Sequence, residues 1–224
     1  MLQNLGAMKK NYIVMADIIS SSKHNASQLM REFKEVVKDV NQQEGERLLL
    51  SPLTITLGDE FQGVAGSLDK AAETIINVEE MRIQKGYTFH LRYVVYYGDI
   101  ETEINPNQAY EMLGEGLTMA RDMLEEYKKN KSERTHIKLQ CTRTESALID
   151  AFSLYFAIID NWNVTRDHDL IKAFWQLQDY KLVADRMQKD VSLMWRREKS
   201  LQINEYMAAK RLIHFVCQGQ NAAA

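Results

Sequence analysis

Thr54-Ile55-Thr56-Leu57-Gly58-Asp59-Glu60-Phe61-Gln62-Gly63 sets β-forming residues on both sides of a glycine and two acids. The pattern predicts a hairpin with carboxylates at its bend, because glycine takes the backbone angles of a tight turn while Thr, Ile and Phe favour extended chain. Upstream, Tyr12 to Ala16 reads as a strand closed by Asp17, in the run Ala16-Asp17-Ile18. Two carboxylates at the ends of neighbouring strands offer what Mg²⁺ prefers, one or two acids completed by the phosphates of a ligand. Asp17 and Asp59 are therefore candidate metal ligands, and a phosphate-handling site is the first hypothesis. Taken alone, the hairpin is equally an ordinary acidic turn. Ser20, Ser21 and Ser22 follow Asp17 closely, where hydroxyls and amides can meet a phosphate; a solvated loop is the plainer reading of the same serines.

Outward from the hairpin, helix and strand signals alternate. Asn25, with Gln28 three residues on, is placed as an N-cap, and Leu29, Phe33, Val36, Val37 and Val40 recur at helical spacing. Ser67 is placed to cap a second helix with Ala71, Ala72, Ile75, Ile76 and Met81 on its apolar face, ended by Gly86. Thr88 to Tyr97 alternates as a strand with a partly covered second face, and Gly98-Asp99 is expected to interrupt it. Gly114 and Gly116 each weaken a helix interior by roughly 1 kcal/mol relative to alanine, so the next helix is expected to begin near Glu115 and run to about Lys129. Lys128, Lys129 and Lys131 suit its C-terminus, where the dipole favours cations. Thr135 to Cys141 gives a last short strand. This order predicts an α+β fold, an antiparallel sheet covered by helices on one face.

Beyond Thr144 only helical spacing continues, over Glu145 to Trp162, Asp167 to Leu177, Asp179 to Met187 and Val191 to Val216. Residues 1–143 are therefore expected to form one domain, 144–219 a separate helical one and 220–224 a tail. No Pro/Gly-rich linker marks the boundary, so the two are expected to pack together. Within the helical part, Tyr180 to Met187 followed by Gln188-Lys189-Asp190 and Val191 to Arg197 reads as a helix-turn-helix. Small Ala184 sits where the helices cross, Val183, Met187 and Met194 face inward, and Arg196, Arg197 and Lys199 project towards DNA phosphates or base edges. A plain helical pair with a solvated basic face fits the same residues. Trp162, Trp175 and Trp195 are expected in the core or at an interface.

Composition narrows the classes. The 224 residues suffice for one large or two modest domains. A formal charge of -3 argues against coating nucleic acid by bulk charge, without excluding a local basic face. Two cysteines, Cys141 and Cys217, give neither a disulfide framework nor a cysteine-based zinc site, and five histidines lack the spacing of a helical metal pair. No apolar run reaches the roughly 20 residues of a membrane span, and Met1 to Lys10 lack a signal-peptide pattern. A cytoplasmic protein is expected.

Asp17-Ile18, then Gly58-Asp59-Glu60-Phe61, then Arg92 to Asp99 stand in the order found in class III nucleotide cyclases and GGDEF-type diguanylate cyclases, and the chain resembles them. The resemblance implies a ferredoxin-like palm in which Asp17 and Asp59 hold Mg²⁺ against a nucleoside triphosphate; Gly58 and Ser20 to Ser22, by their position beside these acids, are the candidate nucleotide contacts. It implies that Glu60 is the following acid of the hairpin and that two copies complete a site. Leu57 replaces the first glycine of that hairpin motif. On the helix after the later strand such cyclases carry an Asn and an Arg one turn apart; here Arg121 stands ready, while Leu117 or Thr118 replaces the Asn, and this departure weighs against turnover. Together with the helix-turn-helix, the whole of Tyr12 to Val216 resembles the SatD family of bacterial proteins. That resemblance implies a regulatory protein with a DNA-binding tail and a link to stress or acid-tolerance operons. An active nucleotide-cyclising or nucleotide-joining enzyme and a non-catalytic interaction scaffold are the alternatives.

Overall fold

The computed structural model describes residues 9–23, 25–129 and 134–221. Met1 to Met8, His24, Lys131 and Ala222 to Ala224 of the sequence reading lie outside them. The chain begins with β1 (Lys9–Ile18), a 3₁₀ turn at Ser21–Lys23 and α1 (Ala26–Val40). The Asn25 side chain caps α1, accepting from the Gln28 amide at 3.0 Å. A π-type turn, Asn41–Gly45, and the single turn α2 (Glu46–Leu48) lead into the hairpin of β2 (Leu49–Ile55) and β3 (Glu60–Ala65). There follow α3 (Leu68–Gln84), capped by Ser67, then β4 (Leu91–Ile100), α4 (Glu115–Lys128) and β5 (Thr135–Lys138). The chain ends in α5 (Thr142–Ile159), α6 (Val164–Leu177), α7 (Tyr180–Met187), α8 (Val191–Ser200) and α9 (Ile203–Asn221).

The fold is α+β, with a five-stranded sheet in the order β2-β3-β1-β4-β5. The sheet is mixed, not antiparallel throughout as expected: β5 runs parallel to β4. The reason is the connection, since α4 carries the chain over the sheet and β5 returns in the direction of β4. Nor does Gly98-Asp99 break β4, because β1 is long enough to pair Asn11 with Gly98, Lys10 with Asp99 and Lys9 with Ile100.

Helices cover both faces rather than one. Val14, Ala16, Phe61, Tyr93 and Val95 point into the larger core, against apolar residues of α1, α3 and the C-terminal helices. Ile13, Met15, Val64 and Val94 point the other way and meet Leu117, Ala120 and Leu124 of α4. This alternation along each strand fixes which polar side chains lie beneath α4.

The C-terminal helices are not set apart as a distinct helix-turn-helix domain. Ala151, Phe152, Tyr155, Phe174, Tyr206 and Ile213 belong to the same continuous core as Val14 and Phe61. Polar bonds reinforce the join: Tyr206 Oη and Lys210 Nζ both bond Glu80 on α3. The expected long helix from Val191 to Val216 is two helices, broken where Gln202 takes φ +51° and the Trp162 indole donates to the Leu201 carbonyl at 2.8 Å. Among the described residues no helix is long and apolar enough to cross a membrane.

Candidate functional site

Strand register sets three charged side chains in one row. Asp17 on β1 lies opposite Glu60 on β3 and opposite Arg92 on β4. All three are buried, and all share the strand face covered by α4. Two acids side by side across a ladder repel, and cations from two directions offset that. Arg92 Nη1 lies 3.3 Å from Asp17 Oδ2. From α4, Lys128 Nζ bonds Glu60 Oε1 and, at 2.7 Å, Glu125 Oε1. Arg121 Nη1 stands 3.9 Å from Glu60 Oε2, and its Nη2 donates to Gln62 Oε1 at 3.5 Å. Arg92 Nε is buried with no hydrogen-bond partner among the described residues.

The hairpin tip closes the row. Gly58 takes φ +62°, a left-handed conformation that glycine adopts without strain. The turn then brings the Asp59 carbonyl to the Ile18 amide, which donates to it at 3.0 Å, so Asp59 stands at the end of β1, half exposed. Burial pushes the Asp17 carboxyl up to about 6; Arg92 and Lys128 oppose the rise, and the Glu60 and Asp59 charges add to it. Burial works to lower the Lys128 ammonium, yet its bonds to Glu125 and Glu60 hold it above the usual lysine range.

A raised carboxyl in the folded state has a definite consequence for pH. In the unfolded chain Asp17 titrates near 3.9, so the folded protein binds the extra proton between about 4 and 6. Its stabilising contribution is complete below the unfolded value and is lost as pH rises through the folded one. We expect urea denaturation at pH 4.5 and pH 7 to show Asp17→Asn removing a pH-dependent loss of about 1–2 kcal/mol, after discounting for solvent screening. A wild-type profile whose slope survives the substitution would refute this.

Next to the row, a cavity of about 240 Å³ opens between the hairpin and α4, lined in part by Thr56, Gln62, Tyr110, Thr118 and Arg121. Arg121 thus touches both Glu60 and the cavity, and Thr118 lines it one turn earlier. Ser20 and Ser22 are exposed and Ser21 half buried on the turn after Asp17. Among the described residues no three His, Cys, Asp or Glu side chains converge to enclose a metal ion. Asp17 and Asp59 are the residues that could hold a hard cation taking its remaining oxygens from a ligand, since the Asp59 charge reaches Asp17 and Mg²⁺ asks for only one or two carboxylates.

At the other end of the molecule α7 and α8 form a tight pair. Gln188, where a glycine is usual, takes the left-handed conformation at φ +50°, and Asp190 caps α8 by accepting from the Leu193 amide at 3.0 Å. Val183, Ala184 and Met194 are buried between the helices. Arg196 and Lys199 are exposed, whereas Arg197 turns inward, with Nη2 2.7 Å from Asp167 Oδ1 on α6. Trp195, expected in the core or at an interface, lies outside the core, 48% exposed beside Arg196.

The sequence model of the SatD family matches residues 12–214. The chain belongs to the SatD family. No curated protein matches this SatD-family chain. Among solved structures it is similar to a bacterial light-regulated adenylyl cyclase, at 13% identity over 59% of this chain and 77% of that one, with a TM-score of 0.44. It is also similar to the catalytic core of a rhodopsin-guanylyl cyclase with converted specificity, in complex with ATPαS (16% identity, 53% and 72% of the two chains, TM-score 0.38). A third is the non-canonical dimeric guanylyl cyclase domain of the RhoGC fusion protein from the aquatic fungus Blastocladiella emersonii (16%, 53% and 74%, TM-score 0.39).

Two residues of the candidate site escape the sequence reading, Arg92 and Lys128. Arg92 carried a signal, a cation within a strand whose neighbours on both sides are apolar. Lys128 carried a weaker one: it follows Arg121 by two helical turns and so shares its face.

Proposed function

We propose that this SatD-family chain binds a nucleotide together with Mg²⁺ across Asp17 and Asp59, in a palm that turns its ligand over poorly or not at all. The observation that carries the reading is the row Glu60-Asp17-Arg92 closed by Asp59: carboxylates for a cation and guanidinium or ammonium groups for phosphates within one partly buried cluster. Gly58 and Ser20 to Ser22, at the mouth of the row, offer main-chain and hydroxyl donors to the nucleotide. Leu117 or Thr118, in place of an amide side chain, supports binding over catalysis, because loss of a group that stabilises transition-state charge is usually a large loss. Glu60 and Arg121 then act as positioning groups. A homodimer belongs to this reading, with a second copy completing the site.

Thermal denaturation with nucleoside triphosphates and Mg²⁺ tests it. The expected result is a rise in melting temperature that needs both components and disappears in Asp59→Asn, since a ligand stabilises the state that binds it. No shift with any triphosphate, or an equal shift in the variant, would sink the reading; rapid pyrophosphate release that depends on Asp59 would replace it with an active enzyme.

A second reading concerns DNA, and the exposed Trp195-Arg196 and Lys199 on a capped α8 favour it. Fluorescence anisotropy with duplex DNA should show salt-sensitive binding that Arg196→Ala with Lys199→Ala weakens at least tenfold. Arg197 is the wrong probe, because its removal strips Asp167 of an ion pair. Binding insensitive to salt, or untouched by the double variant, would exclude this interface.

A further inference from the structure

We propose that Lys128 is a built-in counter-cation of the acid cluster, which a divalent cation must displace, so that cation and phosphate ligand bind as a pair rather than singly. The proposal rests on the metal–nucleotide reading of Asp17 and Asp59 and concerns how that same site is regulated.

Charge balance is the first argument. Asp17, Asp59, Glu60 and Glu125 supply four negative charges, and Arg92, Arg121 and Lys128 supply three positive ones within the same cluster. The cluster is left with a single negative charge in excess. A divalent ion entering alone turns that deficit into an uncompensated positive charge in a partly buried region, where repulsion is several-fold stronger than in water. A phosphate chain arriving with the ion cancels that excess.

Mobility is the second argument, and it singles out Lys128. Arg92 is buried on a central strand, pinned between its neighbours. Arg121 stands at 3.9 Å from Glu60, already loose, and has Gln62 as another partner. Lys128 is the last residue of α4, its side chain is partly exposed, and Glu125 holds the same ammonium at 2.7 Å. It can leave Glu60 without losing every partner. An ammonium on a four-carbon stem carries three donors free to rotate, so it can pass from Glu60 to an arriving phosphate while Glu125 keeps its other side. Displaced by the cation and re-engaged by the phosphate, Lys128 makes each ligand favour the other, and such coupling is reciprocal.

Calorimetry on the full chain tests this with Mg²⁺ alone, a non-hydrolysable nucleoside triphosphate alone, and both together, in wild type, Lys128→Met and Lys128→Arg. Wild type should bind Mg²⁺ at least tenfold more tightly when the nucleotide is present. Lys128→Met should bind Mg²⁺ alone about fivefold more tightly than wild type and lose most of the tenfold synergy, while Lys128→Arg keeps it. Lys128→Gln, which retains a hydrogen-bond donor towards Glu60, serves as a second neutral variant should the methionine impair folding. Synergy unchanged within twofold in the neutral variants would overturn the role of Lys128 and leave the nucleotide site standing. Wild type binding neither ligand would overturn both.

Discussion

Replacing Glu79 by alanine is expected to lower stability by about 3–5 kcal/mol, the range for stripping one partner from a buried ion network. Glu79 is fully buried on α3, yet its carboxyl stays below the usual range, because burial is outweighed by Arg134, Arg82 and Tyr93. Arg82 donates to its Oε2 from Nε at 3.0 Å and from Nη2 at 2.7 Å. Tyr93 Oη donates to Oε1 at 2.9 Å, and Arg134 reaches the same oxygen. Arg134 in turn bonds Asp160 at the end of α5 and lies 4.0 Å over the Phe156 ring. One carboxylate therefore ties α3, β4, the approach to β5 and α5 together. Without it Arg82 stays buried with its charge unmet, a large loss against a total stability of about 5–15 kcal/mol. Urea denaturation measures it, with Glu73→Ala as comparison. That residue pairs with the exposed Arg47, where removal should cost less than about 1 kcal/mol. A Glu79 variant within that same margin would show that the network holds nothing together.

The second large effect is expected at Gly116. Helix propensity favours alanine over glycine by roughly 1 kcal/mol, so on local grounds Gly116→Ala stabilises α4. Tertiary packing reverses the sign. A methyl there would stand 2.7 Å from the Asp99 carbonyl oxygen, 2.8 Å from Gly98 C and 2.9 Å from the Asp99 amide. All three are main-chain atoms that cannot rotate away, so the helix itself must move, and over-packing of this kind costs about 1–3 kcal/mol. The movement carries Arg121 and Lys128 off Glu60, so Gly116→Ala should also weaken nucleotide-dependent stabilisation. Gly219→Ala on α9, with nothing within 4 Å of the added methyl, is the control expected to be neutral or stabilising. Equal effects at the two glycines would refute the close crossing of α4 over β4.

What could be read from the chain followed from local chemistry. Asn25 and Ser67 cap helices because a side-chain oxygen placed before an apolar period needs only the next turn to act. Gly114 and Gly116 correctly delayed α4 to Glu115, but the reason for Gly116 lay elsewhere, in the backbone of β4. The candidate site was legible in part. Asp17 and Asp59 announced themselves by sitting at strand ends, whereas Arg197 looked free only because Asp167, thirty residues away, gives no local sign of facing it.

By itself the sequence determined most of the elements, the Gly58-Asp59 turn and the α+β class, since each depends on side chains within a few residues of one another. Tertiary structure alone decided three things: that β5 lies parallel to β4, that the C-terminal helices share the core of the sheet, and that α4 lies across the strand face carrying Asp17 and Glu60. These are outcomes of long-range packing, in which a helix settles where its apolar stripe finds an uncovered strand face. The acids beneath α4 were visible as acids; that Lys128 answers one of them became visible only once the helix was laid over the sheet.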